Sequence, residues 1–261
     1  MIIDGKKIAQ KVLKETKEKL QKSRKSLLLA GVLVGENQEL KKFVELKKKA
    51  AEEIGIDFKM YEFPENISND ELRNEMDEIV GTADGVIIEL PLPKHLDTQD
   101  LLNLIPQEKD VDVLSQKSQE DFYVNKSKIL PPSVETVKQI FNEYNVNPKG
   151  KTVVVFGYGL LVGKLVSHWL INQGATITII TEFTKDPLKV SKEADIIISG
   201  VGKPNLINDK MVKDGAVVID FGKDVDFENV SKKASLITPS IGGVGPIVVA
   251  VVLKNLVELW I

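Results

Sequence analysis

The strongest constraint on the fold is an alternation of short, mostly apolar segments with stretches of helical periodicity. In the second half, residues 152–156, 176–181, 195–199, 216–220 and 235–238 read as strands separated by helical stretches. In the first half, residues 27–34, 58–61 and 85–90 do the same, between helices expected at 6–22, at about 39–54 and after a cap at Ser68, Asn69 or Asp70. A strand that is apolar at every position, and not at every second one, is buried on both faces. That predicts parallel sheets with helices on both sides, an α/β fold. Five strands in the second half suffice for a Rossmann-like unit. Residues 133–144 read as a helix leading into it, and 244–256 as an apolar helix that returns to the first domain. The expected organisation is a first α/β domain over 1–132, joined by the final helix 244–261, and a Rossmann-like domain over 133–243.

Composition removes several function classes. The 261 residues can bury a sizeable core, and 43% hydrophobic residues, 28% charged residues and a net charge of -3 lack the basic surplus of a nucleic-acid binder. With no cysteine there is neither a disulfide framework nor a thiolate nucleophile, and His95 and His168 are too few for a His-rich metal centre; no metal is expected. The start, MIIDGKKIAQ, is too polar for a signal peptide, and no run approaches membrane-spanning length. The expectation is a cytoplasmic protein with neither a membrane nor a nucleic-acid partner.

The strand VVVF runs directly into Gly157-Tyr158-Gly159-Leu160-Leu161-Val162-Gly163. Glycines there let the backbone approach a pyrophosphate and let the following helix pack on the strand, while the helix N-terminus supplies an anion site. Glycine spacing alone is a weak signal, and the third glycine falls one residue later than in the commonest fingerprint. Glu182, at the end of the next strand, strengthens it: a carboxylate there accepts hydrogen bonds from a ribose hydroxyl and repels a 2′-phosphate. NAD is favoured over NADP. The plainer alternative is a tight strand-to-helix turn with a surface glutamate nearby.

In ELKKFVELKKKAAEEIGI, Leu40, Phe43, Lys47, Ala50 and Ile54 share a helical face while Lys41, Lys42, Lys48 and Lys49 point elsewhere. An inward lysine can act as a general acid or base; from this segment alone, an ammonium snorkelling to water is the stronger reading. Glu89 ends the buried strand GVIIEL, where open α/β sheets place their sites, although a solvent-facing carboxylate fits that position equally well. Asp112, in Lys109-Asp110-Val111-Asp112, stands before a polar loop and by itself reads as a turn or capping residue. Gly242-Gly243-Val244-Gly245-Pro246 opens an apolar helix; it can cradle a ligand or simply turn the chain.

Together these segments resemble the methylenetetrahydrofolate dehydrogenase/cyclohydrolase family over nearly the whole chain. The matching stretches are Val34-Gly35, Phe43-Val44, Lys47-Lys48-Lys49-Ala50, LPLPKHL from Leu90, KDVD at 109–112, Val162-Gly163, ADIIISGVGKP with Gly202, and ITPSIGGVGP at 237–246. The resemblance implies oxidation of methylenetetrahydrofolate with a nicotinamide cofactor and hydrolysis of the methenyl product. It also implies a Rossmann-like NAD(P)-binding domain, a folate-binding catalytic domain, a cleft between them and a homodimer. Lys47 matches the catalytic lysine, and Asp112 the aspartate that grips the amino-pyrimidinone edge of the pterin. Ser133 matches a threonine near the nicotinamide, and Gly242, Gly243 and Pro246 match a loop beside the folate.

The departures point to altered chemistry. Phe43 replaces a tyrosine and Glu89 a glutamine; if Glu89 touches Lys47, it favours the ammonium, opposing burial, so water activation suffers first. Val113 replaces a glycine, Leu40 a serine and Ile241 a proline, which alters the pterin pocket. Tyr158 and Glu182 replace the arginine and serine of NADP-using members. The run from Asp220-Phe221-Gly222 into Asp224-Val225-Asp226-Phe227 is shorter than in relatives. The first expectation is therefore an NAD-linked dehydrogenase with weakened or lost cyclohydrolase activity. Its rivals are a non-catalytic dinucleotide- or pterin-binding descendant, acting as a sensor or assembly subunit, and an enzyme for a different pterin.

Overall fold

The computed structural model describes residues 1–261. The chain divides into two compact units, one made of Gln10–Pro132 with Val249–Ile261, the other of Met1–Ala9 with Ser133–Val248.

The first unit takes most of α1 (Gly5–Ser23), then β1 (Leu28–Val34), α2 (Gln38–Ile54), β2 (Asp57–Phe63), α3 (Asn69–Thr82), β3 (Gly85–Ile88), α4 (Thr98–Leu102) and α5 (Gln116–Tyr123). Its sheet is parallel in the order β2-β1-β3. Local chemistry sets the helix ends. Asn37 accepts hydrogen bonds from the backbone N–H groups of Glu39 and Leu40 at the start of α2, and Gly55 closes it at φ 85°. Ser68 and Glu71 form a reciprocal capping box on α3. The core joins Leu20, Leu29, Ile54, Ile87 and Val111 to Leu253, Leu256 and Val257 of the C-terminal helix. Gly85 is required there, because a β-carbon would stand 2.7 Å from the Leu256 side chain and 2.9 Å from that of Val111.

Strand β3 stops at Ile88, short of the 85–90 expected, although the Glu89 N–H still bonds to Val32 C=O; proline at 91 has no N–H to continue the ladder. The polar loop expected after Asp112 contains α5, capped by Ser115, whose hydroxyl accepts from the Ser118 backbone. Eight residues are too few to show a helical period by themselves.

The second unit contains α6 (Pro132–Glu143), β4 (Thr152–Phe156), α7 (Gly163–Asn172), β5 (Thr176–Ile180), α8 (Pro187–Ser191), β6 (Ile196–Ser199), β7 (Val217–Asp220), α9 (Phe227–Val230), β8 (Leu236–Ile237) and the start of α10 (Val244–Trp260). All five strands are parallel, in the order β5-β4-β6-β7-β8, over a core that includes Val154, Phe156, Ile197, Val218 and Ile237.

The grouping of residues 1–9 and 244–248 differs from the expectation, which put both with the first domain. Strand β8 has only two residues and would be an open edge; the chain start covers it, with Ile3 N–H bonded to Ile237 C=O at 2.8 Å and Ile237 N–H to Met1 C=O at 3.0 Å. No helix is long and apolar enough to cross a membrane.

Candidate active site

Lys47 lies on the inner face of α2 with Val44, Ala51 and Ile54; Leu40, Phe43 and Ala50 flank this stripe and are half-buried. The ammonium does not reach water. Its Nζ donates to Glu89 Oε1 at 2.6 Å, and both side chains are 4% exposed. Glu89 is brought there by the end of β3, where its N–H bonds to Val32 C=O on the central strand. The Phe43 ring, one helical turn from Lys47, covers the same ammonium at 4.9 Å from its centroid. Such a pair needs its other lone pairs and protons satisfied before it repays the loss of hydration. A buried charged pair at the carboxyl end of a strand makes these two residues candidates for chemistry.

Asp112 joins this group electrostatically. Part of its surface stays open, yet the surrounding protein strips most water from the carboxyl, and burial pushes its pKa up from 3.8 to about 7. The Glu89 and Asp110 carboxylates push the same way, and Lys47 opposes them. The loop itself is over-determined. Asp110, 2% exposed, accepts from the Leu114 and Ser115 N–H groups, and Asn255 of α10 donates to Val111 C=O and Leu130 C=O at 2.9 Å each. Val113 is held at φ 59°, a left-handed conformation that β-branched side chains resist. Its position as a replacement for glycine signalled this strain; the Asp110 and Asn255 bonds had no signal in the sequence. Leu90 sits half-buried directly after Glu89.

In the second unit, Gly157 turns out of β4 at φ 86°, its N–H bonded to Ile180 C=O at the end of β5, which sets Glu182 beside the glycine turn's strand. Gly163 opens α7 so tightly that a β-carbon would lie 2.2 Å from Gly157 O, whereas one at Gly159 would meet open space. The Val162 cap makes no side-chain hydrogen bond to the α7 N-terminus. The Lys164 N–H is already taken by Gly159 C=O at 3.1 Å, so what fits the pyrophosphate of a dinucleotide is the tight turn, the helix start it leads into and the open space above the middle glycine. Tyr158 is half-exposed and Glu182 exposed, next to Phe183, an 85% exposed aromatic that sequence reading passed over.

Ser133, at the start of α6, donates its hydroxyl to Leu161 C=O at 2.6 Å, so this side chain braces the glycine turn. Gly202 follows β6 at φ 79°. Gly242, Gly243 and Pro246 lie with these residues in the second unit: Gly242 turns at φ 77°, and a β-carbon on Gly243 would strike Pro239 O at 2.3 Å. Phe43, Lys47, Glu89, Leu90 and Asp112 belong to the first.

A Rossmann-like unit joined in one chain to an α/β unit with a buried lysine–carboxylate pair is the build of a two-domain NAD(P)-linked enzyme. The NAD(P)-binding-domain description of one family matches residues 131–261 and its catalytic-domain description residues 3–112: the chain belongs to the tetrahydrofolate dehydrogenase/cyclohydrolase family. It is 41% identical to the bifunctional protein FolD of Nautilia profundicola, over 98% of this chain and 96% of that one. The crystal structure of the bifunctional methylenetetrahydrofolate dehydrogenase/cyclohydrolase FolD of Campylobacter jejuni superposes with a TM-score of 0.92 at 35% identity, covering 99% and 98%. The Trypanosoma brucei enzyme, solved with NADP and an inhibitor, gives 0.94 at 30% identity, covering 99% and 96%.

Proposed function

We propose that this chain oxidises 5,10-methylenetetrahydrofolate to the methenyl compound with NAD as the acceptor, and that its hydrolysis of the methenyl product to formyltetrahydrofolate is weak. The observation that carries this reading is the buried Lys47–Glu89 pair under Phe43, with Asp112 in its field. In its ionised form Asp112 accepts two hydrogen bonds from the amino-pyrimidinone edge of the pterin and so orients the substrate. Leu90, in the same unit, adds an apolar folate contact. When bound, the nicotinamide accepts the hydride; the oxidation asks the protein mainly for alignment, which survives the loss of a tyrosine hydroxyl.

Hydrolysis asks for more. Water must add to the methenyl carbon, give up a proton, and have a proton delivered to the departing nitrogen. Lys47 is the proton carrier, and its short bond to Glu89 and the apolar face of Phe43 leave it poorly free to exchange. On the cofactor side, Ser133, Gly157, Tyr158, Gly159, Val162, Gly163 and Gly202 form the dinucleotide bed, and Glu182 takes the adenosine ribose hydroxyls and rejects a 2′-phosphate. A homodimer located in the cytoplasm is part of the same reading; light scattering on the purified chain tests the oligomer.

The test is purified protein with methylenetetrahydrofolate and either cofactor, followed by formation of reduced dinucleotide. Turnover with NAD above that with NADP is expected. Absence of turnover with both overturns the reading, and NAD binding without turnover favours a sensor. Glu89→Gln is expected to speed methenyl hydrolysis by up to about a hundredfold, the lower end of one general acid–base contribution, with a smaller change in oxidation. An unchanged hydrolysis rate removes Glu89 as the cause.

A further inference from the structure

The chain leaves β6 through Gly200-Val201-Gly202-Lys203-Pro204, and a carboxylate from a different loop holds this segment. Asp224 is fully buried, at 0% exposure. One of its oxygens accepts the Ser199 hydroxyl at 2.5 Å and the Val201 N–H at 2.8 Å; the other accepts the Lys203 N–H at 2.6 Å. Asp224 is itself delivered by Asp220 at the end of β7, whose oxygens accept the Gly222 and Val225 N–H groups at 2.9 Å each. The backbone around it is pinned to Ile207 on both sides: Ile207 N–H bonds to Asp224 C=O, and Asp226 N–H to Ile207 C=O. This is how the shortened connection after β7 is used.

The held segment packs on the glycine turn. A β-carbon on Gly200 would come within 2.8 Å of the Val162 side chain, and one on Gly157 within 3.1 Å of Val201. Strand β4 lies between β5 and β6. A dinucleotide whose adenosine ribose meets Glu182 beyond β5 and whose pyrophosphate meets the turn after β4 carries its other half over the end of β6. Gly202 is open there, with nothing within 4 Å of where its side chain would begin.

We infer that Asp224 is a positioning residue for the nicotinamide half of the dinucleotide, acting through residues 200–203 without touching the cofactor. The inference rests on the dinucleotide reading above. A buried carboxylate is a costly way to fill space, and an apolar side chain would do that as well. What only a carboxylate supplies is acceptors for two fixed backbone N–H groups and a hydroxyl at once. Asparagine substitutes only in part: its oxygen still accepts, but its NH2 turns a donor toward a donor.

Two variants approach the loop from different directions. Asp224→Asn turns one of the two acceptor oxygens into a donor and removes the charge; Gly222→Ala inserts a carbon 2.6 Å from Gly202 N and 2.4 Å from the Asp224 carboxylate. Affinity for NADH, read by fluorescence titration, is expected to fall by about tenfold or more in both, the worth of a charged hydrogen bond. Affinity for ADP-ribose, which lacks the nicotinamide, is expected to stay within about twofold. NADH affinity that is unchanged, or that falls together with ADP-ribose affinity in folded protein, overturns the inference. Should Asp224→Asn fail to fold, Gly222→Ala decides alone. Wild-type protein that binds no NADH sinks the dinucleotide reading along with it, whereas tight wild-type binding with unaffected variants sinks the inference only.

Discussion

Val113 and Asp112 show what two adjacent residues carry. Val113 is 1% exposed and sits at φ 59°. The left-handed backbone costs a valine about 1–2 kcal/mol, while burying its side chain returns about 1.5–3 kcal/mol. Val113→Gly removes both, so denaturant unfolding should show a change smaller than about 1.5 kcal/mol, against the larger loss usual for emptying a buried valine site; a full-sized loss would mean the strain is absent. Asp112 has the opposite signature, a pH dependence. Its folded pKa of about 7 lies above the ordinary 3.8, so between those values the unfolded chain gives up a proton that the folded chain keeps. Its contribution to stability is therefore greatest below pH 4, declines as pH rises toward 7, and is constant above. The stability of Asp112→Asn relative to wild type should rise over that interval, measured by urea unfolding at each pH. On the proposed role of ionised Asp112 toward the pterin, the folate KM of the wild type should also fall as pH rises through about 7, and that fall should vanish in Asp112→Asn.

At the scale of elements, the proposed choice of NAD over NADP rests on the loops at the carboxyl ends of β4 and β5. Tyr158 and Glu182 project from them, one half-exposed and one exposed; the cation beside Tyr158 is Lys164, whose Nζ lies 5.8 Å from the ring centroid, while Glu182 is a carboxylate. The double variant Tyr158→Arg, Glu182→Ser should invert the preference, raising kcat/KM with NADP over NAD by about tenfold or more, a single charge-assisted contact's worth; unchanged discrimination would place specificity elsewhere. These loops also show what the sequence could and could not tell. Parallel strands were legible because burial on both faces makes them apolar throughout, and 152–156 coincides with β4. Lys47 was legible as the one lysine on an apolar stripe, but snorkelling was excluded only by the carboxylate partner, which lies 42 positions away in sequence. Asp224 was invisible as a brace, since two of its three donors belong to the backbone of a loop after another strand and leave no mark in residue type, and the third, the Ser199 hydroxyl, lies 25 positions away. Short helices such as α4 and α5 escaped because one or two turns do not establish a period.

For the whole molecule, the two units divide the work in a way that binding alone can read. Folate recognition is assigned chiefly to Lys47, Glu89 and Asp112 in Gln10–Pro132, and dinucleotide recognition to the glycine turn in Ser133–Val248. Gly163→Ala forces a methyl to within 2.2 Å of Gly157 O, so the turn must open. NADH affinity should fall by about tenfold or more, equivalent to roughly 1.4 kcal/mol, while affinity for a folate analogue stays near wild type. Asp112→Asn should do the reverse. Methenyl hydrolysis needs no dinucleotide, so whatever rate the chain retains should pass through Gly163→Ala intact, and Lys47→Met should abolish it without weakening NADH binding. Fluorescence titration of NADH and calorimetry with the folate analogue on the three variants give a crossed pattern if each ligand depends on its own unit. If Gly163→Ala and Asp112→Asn instead weakened both ligands equally, recognition would be a property of the chain as one body, and the division of labour would be wrong.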